Sequence, residues 1–129
     1  MKTIIHSDDA PKAVGPYSQA VRTGNLLFTA GQVPLDPATG KLVEGDIKAQ
    51  AEQAMKNLRA VLAAAGTGFE HVVKTTVYLA DMADYAGLNE VYGRYFTGSY
   101  PARSAFAVGA LPLGAKVEIE MVAEIPEAG

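Results

Sequence analysis

Residues 116–125 read Lys116-Val117-Glu118-Ile119-Glu120-Met121-Val122-Ala123-Glu124-Ile125, an alternation of apolar and mostly acidic residues with a period of two. Neighbouring side chains of a strand point to opposite faces, so Val117, Ile119, Met121, Ala123 and Ile125 form one row and Glu118, Glu120, Val122 and Glu124 the other. The apolar row needs a covering layer, and the glutamates need an open face. Two upstream segments can supply the cover. From Ile47 the apolar positions 47, 51, 54, 55, 58, 61, 62 and 65 follow helical spacing, with Asp46 as the start cap and Gly66 as the stop. A second stripe, Tyr85, Leu88, Val91, Tyr92, Tyr95 and Phe96, predicts another helix, capped by Asp81 or Asp84 and stopped at Gly98.

The remaining segments read as strands. Thr3–His6 is short, and Ser18–Arg22 and Leu26–Ala30 are joined by the hairpin loop Thr23-Gly24-Asn25. A Pro-rich turn at residues 34–40 precedes the first helix. Val72–Leu79 has Val73, Thr75, Val77 and Leu79 on one face, and Ala102–Val108 is separated from the last strand by the turn Leu111-Pro112-Leu113-Gly114. The order β-β-β-α-β-α-β-β predicts an α+β fold with a mixed sheet and both helices on one face. In Ala102–Val108, Phe106 and Val108 are expected in the core. Arg103, Ala105 and Ala107 then fall on the open face beside Glu120.

With 129 residues the chain is expected to form a single domain over 1–129. Only 19% of its residues are charged, which for so small a domain points to surface covered by another subunit. A formal net charge of −3 without a basic tract argues against nucleic acid as partner. There are no cysteines, so disulfides, thiolate nucleophiles and Cys-ligated metals are excluded. The longest apolar stretch, residues 60–66, is too short to cross a bilayer, and the N-terminal residues lack a secretory core, which makes the cytoplasm the expected compartment.

His6 and His71 show no metal-ligand spacing, and no metal site is expected. Neither a GxSxG elbow nor a glycine-rich phosphate loop occurs, so a nucleotide cofactor has no support. Arg103 and Glu120 remain. They read either as a cross-strand ion pair or as a carboxylate anchor beside a water-activating carboxylate.

The segment Pro101 to Leu111, Pro-Ala-Arg-Ser-Ala-Phe-Ala-Val-Gly-Ala-Leu, followed by Ile119-Glu120-Met121, resembles the C-terminal signature of the RidA/YjgF family. Similarity continues through Gly15–Ala20, Thr29–Pro34, Val73–Leu79 and Asn89–Phe96. The resemblance implies a chorismate-mutase-like fold, a homotrimer with sites between subunits, and cofactor-free hydrolysis of 2-imino acids to 2-keto acids and ammonia. It further implies that Arg103 holds the substrate carboxylate, Glu120 positions the water and Tyr17 closes the cleft. Gly31 and Ala105 would contact substrate through their backbones, and Asn89 would support the site from the second helix. Ala30 and Ala105 stand where relatives carry Ser and Cys, which bears on pocket polarity. A trimeric binder using the same clefts without turnover is the rival reading. An RNA-cleaving role is disfavoured by the charge.

Overall fold

The computed structural model describes residues 1–127. Six strands, β1 (Lys2–Ile5), β2 (Ala20–Thr23), β3 (Leu26–Thr29), β4 (Val72–Leu79), β5 (Ala102–Ala107) and β6 (Val117–Glu124), form one sheet in the order β1-β2-β3-β6-β4-β5. Only β4 and β5 run parallel; the other neighbours are antiparallel. Helices α1 (Ile47–Ala64) and α2 (Tyr85–Gly93) follow β3 and β4.

The alternation of β6 is obeyed throughout. Val117, Ile119, Met121, Ala123 and, just past the strand, Ile125 are all buried in one cluster with Ala51, Met55, Leu58 and Leu62 of α1 and Leu88 and Val91 of α2. Each large side chain withdrawn from water there contributes roughly 1.5–3 kcal/mol. Asp46 caps α1 by accepting from the Ala49 N–H at 3.0 Å. Two buried amides on the same helix hold irregular chain in place. Gln50 Oε1 accepts from Lys116 N–H at 2.8 Å, fixing the entry to β6, and Asn57 Nδ2 donates to the carbonyl of Leu35 at 2.9 Å.

Several expectations shift. The first hairpin closes through two residues instead of three, because Thr23 pairs with Leu26 and Gly24 takes φ 60° at the first loop position. Helix α2 stops at Gly93, well before Gly98, where the backbone tightens into i→i−3 bonds. Tyr95 and Phe96 then turn back onto Phe69, with ring centroids 5.2 and 5.7 Å away. Asp81 caps a short 3-10 turn at Met82–Asp84, while Asp84 makes no side-chain cap bond. An irregularity in the β4–β6 register between Val72 and Lys74 buries Val72 and turns Val73 outward.

The largest correction concerns β5. Its register sets Arg103 opposite Thr75, Ala105 opposite Val77 and Phe106 opposite Tyr78. Thr75 and Val77 are buried in the core layer, so Arg103 and Ala105 lie on the helix side, and Ser104 and Phe106 lie on the open face. The expected pairing of Arg103 with Glu120 on one face does not occur within a chain. Alternation had the right phase but the wrong direction: on the edge strand β5, small Ala105 packs against the core and Phe106 is left 45% exposed.

Leu58→Ala is expected to lower unfolding free energy by about 2–5 kcal/mol in urea titration, since Leu58 is fully buried between α1 and the sheet. A loss under about 1 kcal/mol would show that this layer is not the core that holds the sheet.

Candidate active site

The expected site residues gather in two places. On the helix side, the Arg103 guanidinium lies 4.8 Å from the Tyr92 ring centroid and 5.5 Å from that of Tyr85, and donates to Tyr85 Oη at 2.9 Å. No carboxylate among the described residues pairs with it. Tyr92 is locked in turn by a 2.7 Å hydrogen bond between its hydroxyl and Thr75. Burial pushes the Tyr92 hydroxyl above its ordinary value of 10.0, against the lowering effects of the Thr75 hydrogen bond and the Arg103 charge. A cavity of about 330 Å³ opens beside Arg103, lined also by Asn89, Tyr92, Gly93, Tyr100 and Pro101. Asn89 Oδ1 is a buried acceptor without a hydrogen-bond partner among the described residues. A planar cation without a carboxylate partner beside a cavity suits a ligand that carries a carboxylate.

At the other place, the segment around Gly31 is strapped to β6: Gln32 and Ile119 exchange two backbone hydrogen bonds, at 2.8 and 3.1 Å. This brings Gly31 against the Glu118 carboxylate so closely that a Cβ on residue 31 would overlap it. Tyr17 is delivered by the loop before β2. Gln19, 2% exposed, fastens that loop through bonds to Ser7 and to the carbonyl of Pro11, and Val14 N–H donates to Tyr17 Oη at 3.3 Å. Tyr17, Gly31, Val33, Leu35, Leu113 and Glu118 face a cavity of about 470 Å³.

Glu120 lines neither cavity. Its carboxylate accepts from Tyr78 Oη at 2.9 Å, and this bond is the main cause holding the Tyr78 hydroxyl above 10.0. The carboxylate that meets Tyr17 and Gly31 is Glu118, which the sequence reading left among the open-face glutamates. Burial, and then the charge of Glu120, raises the Glu118 carboxyl above its ordinary 4.5. Its signal in the sequence was weak, because Glu118 and Glu120 share one row and only the strap from Gln32 distinguishes them. Ala105 lines neither cavity and packs against the core. Among the described residues no group of three or more His, Asp or Glu side chains could hold a metal, and no helix is long and apolar enough to cross a membrane.

The architecture is thus a small α+β domain with an unpaired arginine on one face of its sheet and a raised carboxyl on the other. The family model described as Endoribonuclease L-PSP matches residues 7–125, and the chain belongs to that family, also called RidA/YjgF. It is 60% identical over 121 residues to Protein DfrA of Myxococcus xanthus, covering 92% of each chain. To the mouse protein named 2-iminobutanoate/2-iminopropanoate deaminase it is 52% identical over 123 residues, covering 95% of this chain and 91% of the other. The crystal structure of RidA from an Antarctic Psychrobacter superposes with a TM-score of 0.92 at 49% identity, covering 95% and 99% of the two chains.

The raised carboxyl makes a signed prediction. Glu118 binds its proton more tightly folded than unfolded, so its contribution to stability is full below 4.5 and is lost as pH rises through the raised value. Measured by urea unfolding from pH 4 upward, the wild type should lose stability relative to Glu118→Gln as pH increases. A difference that stays flat, or runs the other way, would show that the carboxyl titrates normally.

Proposed function

We propose that the chain hydrolyses 2-imino acids, which arise from enamines, to 2-keto acids and ammonia, with 2-iminobutanoate and 2-iminopropanoate as substrates. The observation that carries this reading is the unpaired Arg103 guanidinium, stacked on Tyr92 and facing a cavity of about 330 Å³. The name carried by the mouse relative supports the same chemistry.

In this reading Arg103 holds the substrate carboxylate with two charge-assisted hydrogen bonds, each worth about 1.5–3 kcal/mol. Asn89 lines the same cavity from α2. The water-positioning role first assigned to Glu120 moves to Glu118, because Glu118 shares a cavity with Tyr17 and Gly31. Ionised Glu118 takes a proton from water as the oxygen attacks the imine carbon, giving a tetrahedral carbinolamine. It returns that proton to the nitrogen; as the C–N bond breaks and ammonia leaves, the Glu118 carboxylate takes the proton of the carbinolamine hydroxyl so that the carbonyl forms, and it passes this proton to the departing ammonia. Such general acid–base help is worth about 10²–10⁴-fold and is greatest for a group whose pKa approaches the working pH.

Arg103 and Glu118 lie on opposite faces of one sheet, so a complete site takes Arg103 from one copy and Glu118 from another. A homotrimer with three such clefts meets that requirement. The open face supports it, since Ile4, Phe28, Val73 and Phe106 are exposed there and a second chain would bury them.

The test couples the protein to a threonine dehydratase with L-threonine and traps free imine with semicarbazide. Wild type is expected to suppress trapping, and Arg103→Ala to lower kcat/KM at least about a hundredfold through the lost hydrogen bonds. Glu118→Gln should abolish turnover while 2-oxobutanoate still binds, and Glu120→Gln should retain turnover. If the folded wild type binds 2-oxobutanoate but never suppresses trapping, the chain is a binder without turnover.

A further inference from the structure

The turn between β5 and β6 carries a feature that the reaction above does not use. Leu113 has φ 59° and ψ 16°, and among the described residues it is the only non-glycine residue with a positive φ. A leucine in the left-handed region is disfavoured sterically, and such a conformation persists only where its surroundings impose it. Pro112 before it, Gly114 after it at φ 74°, and the bonds from Gly114 N–H to Leu111 O at 3.2 Å and from Ala115 N–H to Pro112 O at 3.1 Å hold the turn. Packing within the chain gives no return for the strain, because Leu113 is 69% exposed. A large apolar side chain is therefore held out on a backbone that glycine would relax, and it stands at the edge of the Glu118 cavity.

The other walls explain what it faces. Val14, Ala30, Val33, Leu35 and Pro112 contribute apolar surface, and the polar side chains are Tyr17 and Glu118. A cavity of about 470 Å³ is largely unfilled by the methyl group of 2-iminopropanoate. Glu118 at the cavity repels an acidic side chain, and the predominantly apolar walls favour an aliphatic side chain over a polar one.

We propose that Leu113 is a specificity-determining residue, whose strained turn holds it as the outer wall of an apolar subsite that selects 2-imino acids with branched aliphatic side chains over 2-iminopropanoate. The proposal rests on the deaminase reading for its substrate class. Its pocket chemistry applies equally to the stable 2-oxo acids, and this separates the two claims.

The test uses Leu113→Gly, which relaxes the turn, and Leu113→Asn, which tolerates the left-handed region with a short polar side chain. An L-amino-acid oxidase generates the imines from L-leucine and L-alanine, and calorimetry gives Kd for 4-methyl-2-oxopentanoate and for pyruvate. Wild type is expected to favour the leucine-derived imine and the larger 2-oxo acid. Both variants should lower kcat/KM for the leucine-derived imine and weaken binding of the larger 2-oxo acid by at least about tenfold, with less than about a threefold change for the smaller ligands. A proportionate fall for large and small ligands, or an unchanged ratio, overturns the proposal. So does loss of the wild-type molecular mass in solution, which would assign Leu113 to assembly. Selective 2-oxo acid binding without turnover of any imine would sink the deaminase reading and leave the subsite standing; turnover with an unaltered ratio would do the reverse.

Discussion

The two-faced character of β6 is the constraint on which the other features depend. The strand lies between β3 and β4, and its apolar row is buried in one cluster with α1. A one-residue slip would drive Glu118, Glu120 and Glu124 into that layer, and an unpaired carboxylate costs far more to bury than any compensating contact returns. The register is therefore fixed by exclusion as much as by attraction. Once it is fixed, Glu118 and Glu120 must emerge on the face away from the helices, and the strap from Gln32 to Ile119 decides which of them is enclosed.

This explains what could be read from residue order and what could not. The periodicity of α1, its Asp46 cap and the alternation in β6 are local patterns whose physical cause lies within a few residues, and they read directly. The face of Arg103 depends on which way β5 turns when it docks parallel to β4, and that is set by Val77 and Tyr78 on the neighbouring strand. An argument from side-chain size alone sends Phe106 inward. That argument fails at an edge strand whose outer face another chain would cover. Glu118 was hidden for a related reason: its environment comes from Gly31, 87 positions away in the sequence, and nothing in the spacing of the two glutamates ranks them. Asn57 and Gln50 were likewise passed over, because polar residues on a buried helical face look like breaks in a stripe until the loop carbonyl and N–H that they hold are known.

The two cavities bear on how a domain of this size could offer a dry reaction site. A small chain has too much surface to enclose a ligand by itself, and both cavities open to solvent at one side. In the assembly proposed above, each would supply what the other lacks: Arg103 an anion hold, and Glu118, Tyr17 and the apolar walls a proton carrier and shelter. Under that proposal the open sheet face would serve assembly and reaction together, so a charge placed at Phe106 or Phe28 would act on both.

The state of Glu118 follows from this division. In a single chain, burial and the Glu120 charge favour its protonated form. An approaching cation opposes both effects, because an opposite charge within about 4–6 Å favours the ionised form. A protonated imine is such a cation, and so is the guanidinium that holds its carboxylate. Binding of the substrate proposed above would thus oppose the effects of burial and of the Glu120 charge and hold Glu118 in the ionised form that the water requires. The Glu120 carboxylate is engaged by the Tyr78 hydroxyl instead of facing a cavity. Its charge acts on Glu118 from a distance, adding to burial in raising that carboxyl.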